Sequence, residues 1–114
     1  MSARPSVLFV CVKNGGKSQM AAALMRQRHG EAVDVYSAGT RPGGMLNAAS
    51  VASLEEVGAS VTGEHPKPID PDLLARWTDL VPVVLVDGIE VAHWELDPRI
   101  LRRALGRRRR LWPL

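Results

Sequence analysis

The sequence predicts an α/β domain of three layers, a central parallel four-stranded sheet with helices on both faces, and three observations predict it. The apolar run Val7-Leu8-Phe9-Val10 is followed, just past Gly15-Gly16, by the helix-favouring run Gln19 to Met25. That is the pattern of a buried strand turning sharply into a helix. Strand and helix patterns then alternate a second time before residue 58. Right-handed crossovers make such a β-α-β-α order a parallel sheet. The 114 residues form one domain, 1–114, with a basic C-terminal stretch at about 98–114.

Each element has a local cause. Ser18 to about His29 is a run of good helix formers with Gly30 as C-cap. Val33 to Ser37 is a second short strand, and Ala38 to Gly44 a turn-rich loop whose small residues allow close packing beside the first loop. From Asn47 to Val57 the positions Ala48, Val51, Ala52, Leu54 and Val57 fit one helical face, with Asn47 as N-cap and Gly58 as stop. Pro66 and Pro68 hold residues 61–69 extended. Asp70 and Pro71 suit the start of a short helix to Arg76. A third parallel strand is expected in Leu80 to Val86, beginning after Pro82 because proline removes a ladder donor. Asp87-Gly88 marks a turn before a fourth strand, Glu90 to Trp94, and a basic helix runs from Pro98 to about Arg110.

With 46% apolar and 24% charged residues, the chain has the composition of an ordinary soluble globule rather than a disordered or fibrous one. Its first apolar run is too short to span a membrane and no leader pattern precedes it, so a cytoplasmic location without a membrane partner is expected. Residues 99–110 hold seven of the fifteen basic residues and no acid, leaving eight against twelve acids elsewhere. The body is acidic and the tail basic. No aromatic residues interleave with the arginines to stack bases, which argues against nucleic acid as a partner. His29, His65 and His93 have no ligand spacing, and no metal site is expected.

Chemistry concentrates in residues 11–18. Cys11 is the one cysteine of the sequence, so it forms no intramolecular disulfide. A helix N-terminus and neighbouring cations favour a thiolate, and the unpaired amides of the first helical turn favour an oxyanion. Cys11 is therefore the candidate nucleophile, and the backbone of Val12, Lys13, Asn14, Gly15, Gly16, Lys17 and Ser18 the candidate oxyanion cradle. Gly15 and Gly16 are expected to supply backbone angles closed to other residues. Lys17 would hold the anion as a point charge, without the two-pronged grip of arginine. Asn14 is expected to shape the loop in a left-handed conformation. Ser18 would either donate its hydroxyl to the sulfur or cap the helix, and Lys13 would either add positive potential or stay solvated.

Cysteine, five residues, a cation and then serine after a first strand resembles the phosphate-binding loop of the low-molecular-weight tyrosine phosphatase family, whose fold thiol-dependent arsenate reductases share. The string Val7-Leu8-Phe9-Val10-Cys11-Val12-x-Asn14-Gly15-Gly16-Lys17-Ser18-Gln19-Met20 is most similar to the arsenate-mycothiol transferases, as are Ser37-Ala38-Gly39-Thr40, Pro66-Lys67-Pro68-Ile69-Asp70 and Trp94. The resemblance implies a low-molecular-weight phosphatase-like fold with a shortened C-terminal half. It implies an arsenate reductase that joins arsenate to mycothiol as cosubstrate, with no bound cofactor, and passes the adduct to a mycoredoxin-type redoxin. Asp97-Pro98 matches the Asp-Pro pair that supplies the general acid in the family, with Glu95 as the nearby alternative; Asp97 equally suits the cap of the final helix. A homodimer is compatible with the shortened half. A tyrosine phosphatase and a non-catalytic oxyanion-binding module are the alternative readings.

Overall fold

The computed structural model describes residues 4–71, 83–87, 89–93 and 98–108. Strands β1 (Ser6–Cys11), β2 (Asp34–Gly39), β3 (Val83–Val86) and β4 (Ile89–His93) form one sheet in the order β2-β1-β3-β4. Helices α1 (Lys17–His29), α2 (Ala48–Glu56) and α3 (Pro98–Arg108) accompany it. None of the described helices is long and apolar enough to cross a membrane.

The expected all-parallel sheet is corrected. β1 and β2 pair in parallel from Ser6↔Asp34 to Cys11↔Gly39, but β3 runs antiparallel to β1 and β4 antiparallel to β3. The reason lies in where the chain returns to the sheet. The Gly39 amide donates to the Lys67 carbonyl at 2.8 Å and the Ile69 amide to the Gly39 carbonyl at 3.0 Å, so residues 67–69 lie at the C-terminal end of β2. Val83 then pairs with Val10, at that same end of β1. A strand entering the sheet there can only run back the other way. A parallel partner would have had to start beside Ser6.

β3 and β4 form a hairpin around Asp87, which takes a left-handed conformation (φ 51°) that asparagine and aspartate tolerate better than most residues. Its carboxylate accepts from the Ser6 amide at 2.9 Å, and its own amide donates to the Ser6 carbonyl at 2.9 Å, which ties the turn to the start of β1. Trp94 and, beyond Pro71, the short helix expected over residues 71–76 lie outside the described residues.

Helices do not bracket this sheet among the described residues. Val7 and Phe9 of β1 share a face with Val84 and Val86 of β3, and both Ala22 of α1 and Ala104 and Leu105 of α3 pack against that face. Alanine at the contact lets α1 lie close to the strands. In α3, Leu101, Ala104 and Leu105 recur at helical spacing toward the core, while Arg99, Arg102 and Arg103 are exposed. The opposite face holds Leu8, Val10, Ala38 and Leu85, packed with Ile69.

α2 rests on α1 instead of the sheet, through Leu54 against Ala23 and Ala59. It therefore needs one inward knob and not the five-residue face expected: Leu54 is buried, while Val57 is 56% exposed. Its cap is as expected, with the Asn47 side chain accepting from the Ser50 amide at 3.0 Å. Replacing Leu105 by alanine is expected to cost about 2–5 kcal/mol, because the side chain is fully buried between α3 and the sheet. Chemical denaturation followed by circular dichroism measures this; an unchanged midpoint would show that α3 does not dock.

Candidate oxyanion and thiol site

β1 ends at Cys11 and α1 begins at Lys17, so the connecting residues form a tight loop over the helix N-terminus. Its carbonyls turn outward. Those of Cys11, Val12 and Lys13 accept from the amides of Thr40, Arg41 and Gly43 at 3.0, 2.8 and 2.9 Å. The Gly15 carbonyl accepts from the Asn47 amide at 2.7 Å, and that of Gly16 from Met20 at 2.8 Å. Of the amides of residues 12–18, the one that donates to a protein atom among the described residues is that of Asn14, to Cys11 Sγ at 3.2 Å. A loop with its carbonyls engaged outside and its N–H groups unengaged is a concavity suited to an anion. Gly16 occupies the N-cap of α1 with no side-chain cap, which leaves the first helical turn open to the same anion.

The glycines serve both packing and backbone angles. Neither Gly15 nor Gly16 lies in the left-handed region, where Asn14 sits at φ 53°, but Gly16 takes φ −137° and ψ −91°, outside the helical and extended regions open to other residues, as expected of it. A Cβ on Gly15 would come within 3.1 Å of the Met45 carbonyl, and one on Gly16 within 3.3 Å of Ser50 Oγ. Both therefore let the loop approach residues 45–50.

Asn14 is completely buried and Ser18 is 3% exposed. Asn14 Nδ2 donates to Ser18 Oγ at 2.7 Å, and Ser18 Oγ lies 2.9 Å from Cys11 Sγ. Ser18 accepts from Asn14, and its own proton is free to turn to the sulfur. The half-buried Cys11 thus accepts from the Asn14 amide and shares a hydrogen bond with the Ser18 hydroxyl.

Lys13 and Lys17 are both exposed at the rim and form no ion pair among the described residues. Asp97 and its alternative Glu95 lie outside the described residues, so the expected acid has no place in this geometry. Three side chains quoted above for the resemblance, but given no role in the site, join it: Gln19, Ser37 and Lys67. Gln19 Nε2 donates to Asn14 Oδ1 at 3.2 Å, and the Lys67 amide donates to the same oxygen at 3.0 Å. Lys67 Nζ reaches Ser37 Oγ at 3.2 Å and Glu64 Oε1 at 3.4 Å. A signal existed for two of them: Gln19 is a polar residue in the first turn of the helix beside Ser18, and Lys67 stands between two prolines.

Gly39 underlies the loop. A Cβ there would fall 2.6 Å from the Val12 carbonyl oxygen and 3.0 Å from the Asn14 backbone nitrogen, both backbone atoms that cannot step aside. Gly39→Ala is expected to destabilise the fold by about 1–3 kcal/mol through this overpacking. Urea unfolding tests it, and wild-type stability in the variant would mean that the loop yields freely.

Comparison with known proteins agrees with this geometry. An arsenate reductase of Bacillus subtilis (strain 168) is 31% identical over 116 residues, covering 93% of this chain and 81% of that protein. The structure of a Corynebacterium glutamicum thioredoxin-dependent arsenate reductase superposes with a TM-score of 0.65 at 32% identity, covering 96% of this chain; the chain spans 60% of that protein's length. A structure described as an arsenate reductase in the phosphate binding state is 31% identical with a TM-score of 0.53, over 56% of this chain and 48% of the other. Residues 6–94 match the model of the low molecular weight phosphotyrosine protein phosphatase family, and with the cysteine loop at its N-terminal end the chain belongs to that family.

Proposed function

We propose that the protein is an arsenate reductase of the arsenate-mycothiol transferase type. The observation that carries this reading is the loop itself, a cysteine sulfur hydrogen-bonded to the Asn14 amide and the Ser18 hydroxyl beside a set of unengaged amides. Similarity to bacterial arsenate reductases supports it. On this reading arsenate binds across the amides of residues 12–18 with Lys17 at the rim, and the thiol of a low-molecular-weight cosubstrate becomes bonded to arsenic. An arsenic–oxygen bond breaks, its oxygen leaves as water, and arsenic stays pentavalent. Asp97 is the proposed source of that proton.

Reduction to arsenite then belongs to a redoxin thiol that attacks the sulfur of the adduct, releasing trivalent arsenic and forming a mixed disulfide. The single cysteine of these 114 residues motivates the division of labour, because reduction inside the chain would need a further thiol to resolve the arsenic–sulfur bond. An open groove of about 460 Å³ runs between Gly15-Gly16 and residues 43–48 and offers room for the organic part of the cosubstrate. The cytoplasm, with its reduced thiols, is the proposed location.

Arsenite formation from arsenate, measured with mycothiol plus mycoredoxin and separately with glutathione plus glutaredoxin, tests the reading. Turnover is expected with the mycothiol pair and is expected to vanish in Cys11→Ser; an active Cys11→Ser variant would remove Cys11 from the mechanism. Asp97→Asn is expected to slow turnover by about 10²–10⁴-fold, the range for loss of a general acid, while arsenate still protects Cys11 from alkylation. Hydrolysis of p-nitrophenyl phosphate without arsenate turnover would instead establish the phosphatase activity of the wider family.

A further inference from the structure

The amide of a buried asparagine can face its neighbours in two ways, and the two have opposite consequences here. With Nδ2 toward Ser18, the Ser18 oxygen accepts and its proton is free for Cys11 Sγ. With Oδ1 toward Ser18, the hydroxyl donates to Asn14 instead and presents lone pairs to the sulfur. Ser18 cannot choose between these by itself, because a hydroxyl both donates and accepts.

The choice is made on the far side of Asn14. Three donors converge on its Oδ1: the Lys67 amide at 3.0 Å, Gln19 Nε2 at 3.2 Å and Lys67 Nζ at 3.5 Å. Turning the amide over would set Nδ2 against all three. Gln19 is itself held in one sense, since its Nε2 also donates to the His65 carbonyl at 3.2 Å. Gln19 is 1% exposed, and among the described residues its Oε1 has no hydrogen-bond partner. Turning this amide over would set Oε1 against two oxygens, Asn14 Oδ1 and the His65 carbonyl, so Nε2 stays on Asn14 Oδ1. The Lys67 ammonium is steadied by Ser37 Oγ and by the Glu64 carboxylate, which Arg26 also approaches at 3.8 Å.

We propose that Gln19 and Lys67 are positioning residues that fix the polarity of the Asn14 amide and thereby direct the Ser18 proton to the Cys11 sulfur. The proposal rests on Cys11 being the reactive group of the site, but not on arsenate being the substrate. Asn14 and Asn47 are the only asparagines in the sequence, so the side-chain amide signals of ¹⁵N-asparagine-labelled protein are few enough to assign.

The expected result in the wild type is that one asparagine NH₂ pair, that of Asn14, exchanges slowly with solvent and loses its protection in Ser18→Ala. In the double variant Gln19→Met with Lys67→Met, which leaves the Lys67 backbone amide alone of the three donors on Oδ1, that protection should weaken together with the rate of Cys11 alkylation by iodoacetamide at neutral pH, the latter by about ten-fold, as loss of a hydrogen bond to the sulfur implies. Gln19→Met with Lys67→Arg should recover part of the rate, since arginine restores donors at the same place. A wild-type Asn14 pair that exchanges as fast as that of Asn47 overturns the proposal without any variant. So does a folded double variant with both readouts unchanged, or one that alkylates slowly while Asn14 stays protected. Failure of arsenate turnover alone, with these readouts as expected, would count against the reductase reading and leave the positioning roles standing.

Discussion

Asn14 has no solvent exposure, sits in a left-handed conformation and bonds through every polar part of its side chain. Few interactions in a small domain carry so many constraints at one residue. Its backbone amide meets the end of β1 at Cys11, its Nδ2 meets the first turn of α1 at Ser18, and its Oδ1 meets the extended segment at Lys67. One residue therefore ties the end of β1, the start of α1 and a segment 53 positions away to each other. A polar network this deep in low dielectric holds its geometry firmly when satisfied and is costly when it is not. The shape of the loop follows from that network together with the glycines at its tip.

The mixed sheet is compatible with this site because the site depends on one strand pair. β1 and β2 run in parallel, so their C-terminal ends meet, and the loop after β1 lies beside the turn after β2. There the amides of Thr40, Arg41 and Gly43 take up three of the loop's carbonyls. The reversed β3 contributes apolar side chains to both faces of the sheet, Val84 and Val86 on one and Leu85 on the other. Its direction matters little to a core residue, because burial has no direction. The polar site has much stricter requirements, and they are met by the parallel half.

What the sequence made legible follows the same division between local and long-range causes. β1, the loop and α1 were readable because apolar run, glycines and helix formers are consecutive, and the Asn47 cap because capping acts within one turn. The direction of β3 was not readable, since it depends on the end at which Val83 enters the sheet, beside Val10 and not beside Ser6. The parts of Gln19 and Lys67 were hidden for a related reason: their bonds to His65 and Asn14 join residues 46 and 53 positions apart. The apolar positions of α2 gave a face wider than the one in use, because helical spacing shows which residues can align and not how much surface awaits them. Asp97 was legible as a candidate by its type and its proline, yet its place relative to Cys11 is a three-dimensional fact that no spacing supplies.

The cation at the loop's end points to a further consequence. Arginine would grip two oxygens of a tetrahedral anion in a fixed plane, whereas Lys17 is a single exposed charge at the helix start. The orientation of a bound oxyanion must then come from the backbone amides, and these are only as well placed as the outward carbonyl bonds and Asn14 make them. Among the described residues, every hydrogen-bond partner of the loop falls between residues 11 and 67, before β3, β4 and α3 begin. On the proposed reading, the anion is held by the first half of the chain and the proton comes from Asp97 in the second. Changes around Asp97 would then alter proton delivery while the cradle keeps its shape, so the oxyanion site and the reaction completed at it can vary separately.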